Sequence, residues 1–246
     1  MQKFSGFLSM IIFIWSCFSG IKMTKISTGA AFLDILLDGG YDSDILTTIF
    51  GPSGAGKTNL CLLAAVKIAE EGKKVLFIDT EGGIAVERIK QISSDYLGVL
   101  DKIIFLNPVT FVEQNDIFEK VKGMVNEQIG VIVVDSISML YRLELGKSEE
   151  VYEVNSALGR QIAYLVEIAR RKKIPVLITN QVYADFDHRD EVKMVGGDLL
   201  KYGSKCLLEI KRGEEYREII LRKHRSLPEG KRVKFKIVEK GMEILS

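Results

Sequence analysis

A chain of 246 residues with 47% hydrophobic and 27% charged side chains has the size and composition of one globular domain with its own core, which excludes a disordered chain. The formal net charge of +1 carries no whole-chain signature of nucleic acid, yet residues 201–246 hold 13 Lys/Arg against 7 Asp/Glu, so the basic charge is concentrated at one end. Three cysteines, Cys17, Cys61 and Cys206, lack metal-ligand spacing and are too few for a disulfide framework, which fits a reducing cytoplasm.

Residues 1–22 differ from everything after them. The apolar run Phe7–Phe18 resembles the core of a signal peptide and is too short for a membrane span of about 20 residues. The reading adopted is a mis-assigned start or a disordered extension, with the domain proper at 23–246, cytoplasmic and without a membrane partner. A membrane-tethered protein is the alternative, and it depends wholly on this segment.

From Met23 on, strands and helices alternate. Ser27-Thr28-Gly29 is expected to cap a helix over Ala30–Asp38, and Gly39-Gly40 ends it. A β-branched run, Ile45–Phe50, leads into a glycine-rich loop and a helix over Lys57–Glu71. Strands follow at Val75–Ile78, Ile103–Leu106, Val131–Val134 and Pro175–Gln181. Helices are expected between them at Ala85–Ser93, Phe111–Asn126 and Val151–Lys172. Such alternation means βαβ crossovers, hence an α/β fold with a mainly parallel sheet and helices on both faces. From residue 205 the period changes. Lys205–Lys211, Glu215–Arg222 and Arg232–Val238 read as a C-terminal antiparallel extension, and Arg232-Val-Lys-Phe-Lys-Ile237 alternates strictly between polar and apolar.

The loop between the first long strand and its helix reads Gly51-Pro52-Ser53-Gly54-Ala55-Gly56-Lys57-Thr58. With strand before and helix after, it matches the G-x-x-x-x-G-K-[ST] phosphate loop. Its glycines let backbone N–H groups turn inward around phosphates. Lys57 supplies charge at the β/γ oxygens, and the Thr58 hydroxyl can ligate Mg²⁺. Asn59, next in the helix, completes the expected ATP-binding stretch. Ligands of open parallel sheets bind beyond the carboxyl ends of the strands, where three further polar residues fall. Asp135 has the position of an acid holding Mg²⁺, with a helix-capping Asp as the alternative. Glu81 can polarise an attacking water, or is a solvated loop acid. Gln181 is a neutral amide able to sense a γ-phosphate.

These elements, in this order, resemble the RecA/RadA recombinase family. The resemblance rests on the phosphate loop, Asp79-Thr80-Glu81-Gly82, Glu87-Arg88, Val131–Ser136, Thr179-Asn180-Gln181-Val182, Gly196-Gly197 and Leu227-Pro228-Glu229-Gly230, and it covers about residues 24–244. It is closest to short archaeal members that lack the N-terminal DNA-binding domain of RadA. The resemblance implies a RecA-like P-loop ATPase core with ATP and Mg²⁺ as cofactors. It makes Lys57, Glu81 and Gln181 catalytic, gives Thr58 and Asp135 to the metal, and stacks Arg88 on the adenine. It also places Lys223 and Arg225 where the family sets a cap across a subunit interface, so that a homo-oligomer would bring one of them to a neighbour's γ-phosphate.

Departures narrow the function. The two loops that grip DNA in recombinases correspond to Tyr141–Glu153 and Tyr183–Val195, and both are net acidic, a poor match to a phosphate backbone. The expectation is therefore a weakly ATP-hydrolysing accessory protein of homologous recombination and DNA repair. It would bind DNA through the basic extension (Lys211, Arg212, Arg222, Lys223, Arg225, Lys231, Lys234, Lys236) without exchanging strands itself. Implied protein partners are the RadA recombinase and a Holliday junction resolvase. The rival readings are a KaiC-like signalling ATPase acting through protein contacts and an active strand-exchange recombinase.

Overall fold

The computed structural model describes residues 24–147, 151–184 and 192–245, so the apolar segment 1–22 lies outside the described residues. A short ribbon of β1 (Lys25–Ile26) and β2 (Tyr41–Asp42) flanks α1 (Ala31–Leu36). The main elements then follow as β3 (Leu46–Gly51), α2 (Lys57–Glu70), β4 (Lys74–Asp79), α3 (Val86–Ile92), α4 (Tyr96–Lys102) and β5 (Ile103–Leu106). After these come α5 (Phe111–Met124), β6 (Ile129–Asp135), α6 (Met139–Leu145), α7 (Val151–Lys172) and β7 (Val176–Ala184). The chain closes with β8 (Val192–Met194), α8 (Gly197–Gly203), β9 (Cys206–Arg212), β10 (Arg217–His224), β11 (Arg232–Val238) and β12 (Gly241–Ile244).

One sheet runs in the order β12-β11-β10-β9-β3-β7-β6-β4-β5, with β8 paired to β7. Strands β9, β3, β7, β6, β4 and β5 are parallel, and β10 to β12 extend the sheet antiparallel. The architecture is the α/β fold that the sequence implies. Alternation along each parallel strand builds a core on both faces. Val75 and Phe77 of β4 join Ile49, Leu177 and the α2 residues Leu60 and Ala64. Leu76 and Ile78 join Ile132, Val134, Ile178 and the α7 residues Leu158, Ile162 and Leu165 on the other face. Burial on both faces is why these strands read as unbroken apolar runs. Helix α7, roughly 33 Å long at 1.5 Å per residue, buries Val154, Ala157, Leu158, Ile162, Leu165, Ile168 and Ala169 at three- and four-residue spacing.

The first helix is capped differently from the expectation. Ala30 takes the N-cap position without a side-chain bond. Asp34, inside the helix, instead reaches back to accept from Ser27 Oγ and Thr28 N, both at 2.7 Å. Strand β9, expected as the first strand of the antiparallel extension, instead continues the parallel sheet beside β3, because a helical crossover through α8 precedes it; β10 to β12 follow the expected antiparallel pattern. Phe235 is buried and stacks on Phe32 of α1 at 5.3 Å between centroids, while Lys234 and Lys236 face outward.

Candidate nucleotide-binding site

Four parallel strands end at one level. Register pairs Gly51 with Gln181, Asp79 with Asp135, and Val134 with Ile178, which sets Thr179 beside Asp135. The phosphate loop leaves β3 here, and Gly56, in the left-handed region at φ 104°, turns the chain into α2. At Gly51 a side chain is excluded outright, because a Cβ would stand 2.3 Å from the Ile210 carbonyl oxygen of β9. On the outer side Ile237 and Met242 of β11 and β12 pack against Gly56.

Lys57 is 7% exposed, and its Nζ donates to the carbonyls of Gly51 (3.0 Å) and Pro52 (2.9 Å). Burial lowers its pKa, an effect that Glu81 and Asp135 oppose. A buried ammonium held by two backbone carbonyls beneath an arc of glycines suits a phosphate anion. Asp135 is 2% exposed, and burial raises its pKa against the opposing pull of the Thr179 and Thr58 hydroxyls, whose hydrogen bonds favour the carboxylate. The Thr179 Oγ1 bond runs to Asp135 Oδ1. Thr58 and Asp135 offer hard oxygen donors, the set Mg²⁺ takes when phosphates and water complete its shell. Among the described residues there is no cluster of three or more His, Cys, Asp or Glu that could hold a metal alone.

Asp79 shapes the turn that carries Glu81, its Oδ1 accepting from Glu81 N (3.0 Å) and Gly82 N (2.9 Å). Thr80 ties this turn to the end of β6, donating to Ser136 O at 2.8 Å and accepting from Ser136 N at 3.0 Å. Gln181 Nε2 then donates to Glu81 Oε1 at 2.8 Å. Lys57, Thr58, Glu81, Asp135 and Gln181 thus meet at one edge of the sheet. Sequence reasoning missed Asp79, Thr80 and Thr179 as supports. The available signal was polar residues at strand ends where an apolar run would otherwise continue.

Arg88 lies at the rim and is tied into the fold. Its Nε donates to Asn59 Oδ1 (2.6 Å), and its Nη groups to Gln91 Oε1 and the carbonyls of Val238, Glu239 and Gly241 (2.8–3.0 Å). The guanidinium edge therefore staples α2 and α3 to the β11–β12 turn. A cavity of about 720 Å³ opens at the other end of the sheet, lined by Ile26, Lys73, Gly130, Lys173 and Pro175, and contains none of these residues.

The described residues of the two segments expected as DNA-gripping loops include parts of α6, α7, β7 and β8. Helix α6 buries Tyr141, whose hydroxyl donates to Asn155 Oδ1 at 2.6 Å, and β7 runs on to Ala184 to pair with β8. Residues 148–150 and 185–191 lie outside the described residues. The eight cations of the extension divide into two groups. Arg222 pairs with Glu209 at 2.5 Å. Lys223 donates to the Lys201 and Ser204 carbonyls at the end of α8. Arg225 bridges Asp42 (3.1 Å) and Asp44 (2.6 Å). Lys211, Arg212, Lys231, Lys234 and Lys236 are exposed.

A parallel sheet carrying this loop, acid and amide on adjacent strand ends, with an antiparallel extension, defines a RecA-like fold. The family model described as Rad51 matches residues 20–244. The DNA repair and recombination protein RadB of Methanobrevibacter smithii is 41% identical over 226 residues, covering 89% of this chain and 95% of its own. Its namesake from Methanocaldococcus jannaschii is 42% identical over 217 residues, covering 86% and 98%. A solved structure described as the crystal structure of the RadB recombinase matches with a TM-score of 0.76 at 36% identity, over 90% of this chain and all of that one. The chain belongs to the Rad51 family, on the branch of the archaeal RadB proteins. Among the described residues no helix is long and apolar enough to cross a membrane.

Proposed function

We propose that this chain binds ATP with Mg²⁺, hydrolyses it slowly, and acts on DNA as an accessory factor of homologous recombination and repair. The observation that carries the reading is the convergence of Lys57, Thr58, Glu81, Asp135 and Gln181 on one sheet edge in a Rad51-family chain. The arc Gly51–Thr58 would cradle the phosphates, with Lys57 exchanging its two carbonyl partners for β/γ oxygens. Asn59 would hold Arg88 in place, and a face of Arg88 would meet the adenine. Bound Mg²⁺ would neutralise phosphate charge, held through Thr58 and Asp135. Glu81 would orient the attacking water, and Gln181 would register the terminal phosphate.

DNA would follow the exposed cations Lys211, Arg212, Lys231, Lys234 and Lys236. With Lys223 and Arg225 engaged within their own chain, neither is free to complete a neighbour's site without first giving up those bonds. A site lacking that charge would turn ATP over slowly. Contacts with the RadA recombinase and a junction resolvase, and a homo-oligomeric state, belong to the same proposal, as does a cytoplasmic location.

The test is binding of the chain to labelled single-stranded DNA and to ATP, each with and without Mg²⁺, beside Lys57→Ala. Nucleotide binding that Lys57→Ala abolishes, together with salt-sensitive DNA binding, supports the reading. Unchanged ATP binding in that variant removes the phosphate-loop assignment. DNA binding absent at low salt moves the protein to a mediator working through protein contacts alone.

A further inference from the structure

We propose that Thr179 is a positioning residue that fixes the Asp135 carboxylate for Mg²⁺, an inference that rests on the ATP–Mg²⁺ reading above. Strand β7 runs Val176-Leu177-Ile178-Thr179, all four fully buried. Another apolar side chain would suit this position, and β-branched valine has nearly the shape of threonine. A hydroxyl buried here has to be hydrogen-bonded, and its partner is Asp135 Oδ1 on the neighbouring strand β6. The backbone reinforces the pairing, since Ile137 N donates to Thr179 O at 3.2 Å just past the acid.

The two hydroxyls on Asp135 have different jobs. Thr58 lies in the first turn of α2 beside the phosphate loop, where its oxygen would itself be a metal donor. Thr179 belongs to the sheet and has no other part in the site, so its bond stops the carboxylate from turning about its own axis. Residues two apart on a strand share a face, so Thr179 and Gln181 project together while Asn180, between them, donates to Val195 O at 2.8 Å. One strand therefore aligns the metal acid with the side chain that meets Glu81.

The experiment measures binding of a fluorescent non-hydrolysable ATP analogue to the full chain while MgCl₂ is titrated, and again in EDTA. For Thr179→Val the Mg²⁺ concentration at half-saturation should rise about tenfold, the lower end of the effect of removing a group that orients a metal ligand. Binding in EDTA should equal that of the wild type, and Thr179→Ser should restore the Mg²⁺ midpoint to within about twofold. If the valine chain does not fold, Thr179→Ala removes the same hydroxyl with less bulk. An unchanged midpoint in the hydroxyl-deleted variant overturns the inference. So does an equal loss with and without Mg²⁺, which would mark a general structural defect, or a serine variant as impaired as the valine. A wild-type chain that binds no analogue at any Mg²⁺ concentration overturns the nucleotide site itself, and Thr179's role with it.

Discussion

Gln181 Nε2 and Glu81 Oε1 stand 2.8 Å apart, joining residues 100 positions apart in sequence across the strand ends of β7 and β4. In this arrangement the amide occupies one oxygen of the carboxylate that would act on water. Entry of a terminal phosphate offers Gln181 a competing acceptor, so release of Glu81 and recognition of the phosphate become one event. Glu81→Gln keeps an oxygen for the Gln181 amide and removes the base. ATP turnover should fall by about 10²-fold or more, in the range of a lost general base, with nucleotide affinity changed by less than about threefold. Phosphate release and equilibrium binding measured on the same preparation decide it. Turnover unaltered by this change would assign the water to another residue.

Gly51 lets the phosphate loop pack closely on β9 through its lack of a side chain. The Cβ of Gly51→Ala would meet the Ile210 carbonyl oxygen at 2.3 Å, and a backbone atom cannot swing aside. Destabilisation on the order of 2–3 kcal/mol is expected, a fall in Tm of about 5–10 °C for a domain of this size. Gly82→Ala is the control. Gly82 also has positive φ, 64°, but open space around it, so it should lose only about 1 kcal/mol. Thermal melts of the two variants should differ clearly, and equal losses would show that backbone conformation, and not contact with β9, constrains Gly51.

His224 makes stability depend on pH. Its side chain is 2% exposed, with Nδ1 accepting from the N–H groups of Ser226 and Leu227, both at 3.2 Å, and Nε2 facing Asp42 at 3.4 Å. Burial is the largest influence and lowers its pKa below 6.5. Asp42 opposes this, while Lys25, Arg225 and Lys231 reinforce it. Below 6.5 the unfolded chain gains a proton that the folded protein resists, so this contribution is present above that pH and is lost as pH falls toward the folded value. His224→Asn keeps a short acceptor for the two N–H groups and cannot titrate. Denaturant midpoints of wild type should drop more steeply between pH 7.5 and 5.5 than those of the variant, and parallel curves would mean that His224 is not responsible.

The mainly parallel sheet and both faces of its core were legible because periodicity reports burial directly, whereas the order of the strands is set by tertiary pairing. The Val75–Ile78 and Val131–Val134 runs had no other reading once helices separated them. The phosphate loop was legible because its chemistry sits in consecutive residues. Thr179 was not, because its meaning lies in Asp135, which is 44 residues away in the chain and next door only through register. Helix α4 and strand β8 were missed because they are short and packed by their surroundings more than by their own pattern. The same limit applied to the basic extension. Sequence counts a lysine as available, whereas whether Lys223 points to solvent or to the end of α8 is decided by tertiary packing.

That distinction separates two kinds of mutant on the extension. Lys234 and Lys236 face outward from β11, with Lys234 also lying 4.5 Å from the centre of the Tyr216 ring, while Arg225 holds Asp42, whose side chain is fully buried, and Asp44. Removing an exposed cation from a DNA track should weaken binding while leaving the melt unchanged. For single-stranded DNA the slope of log K against log salt should shrink by about 0.7 for each phosphate that is no longer neutralised. The pair Lys234→Ala and Lys236→Ala should therefore lower the slope by about 1.4 and Tm by under about 2 °C. Among the described residues, Arg225→Ala leaves the buried Asp42 with Lys25 at 3.8 Å and His224 at 3.4 Å as its cationic or hydrogen-bonding company. It should lower Tm by roughly 5 °C or more, the mark of a buried carboxylate stripped of its main partner. Any loss of DNA binding in Arg225→Ala should then follow the loss of folded protein, with the salt slope of the folded fraction intact. A reduced slope at unchanged Tm in Arg225→Ala would reverse the assignment and put the DNA on the Asp42–Arg225 side of the sheet.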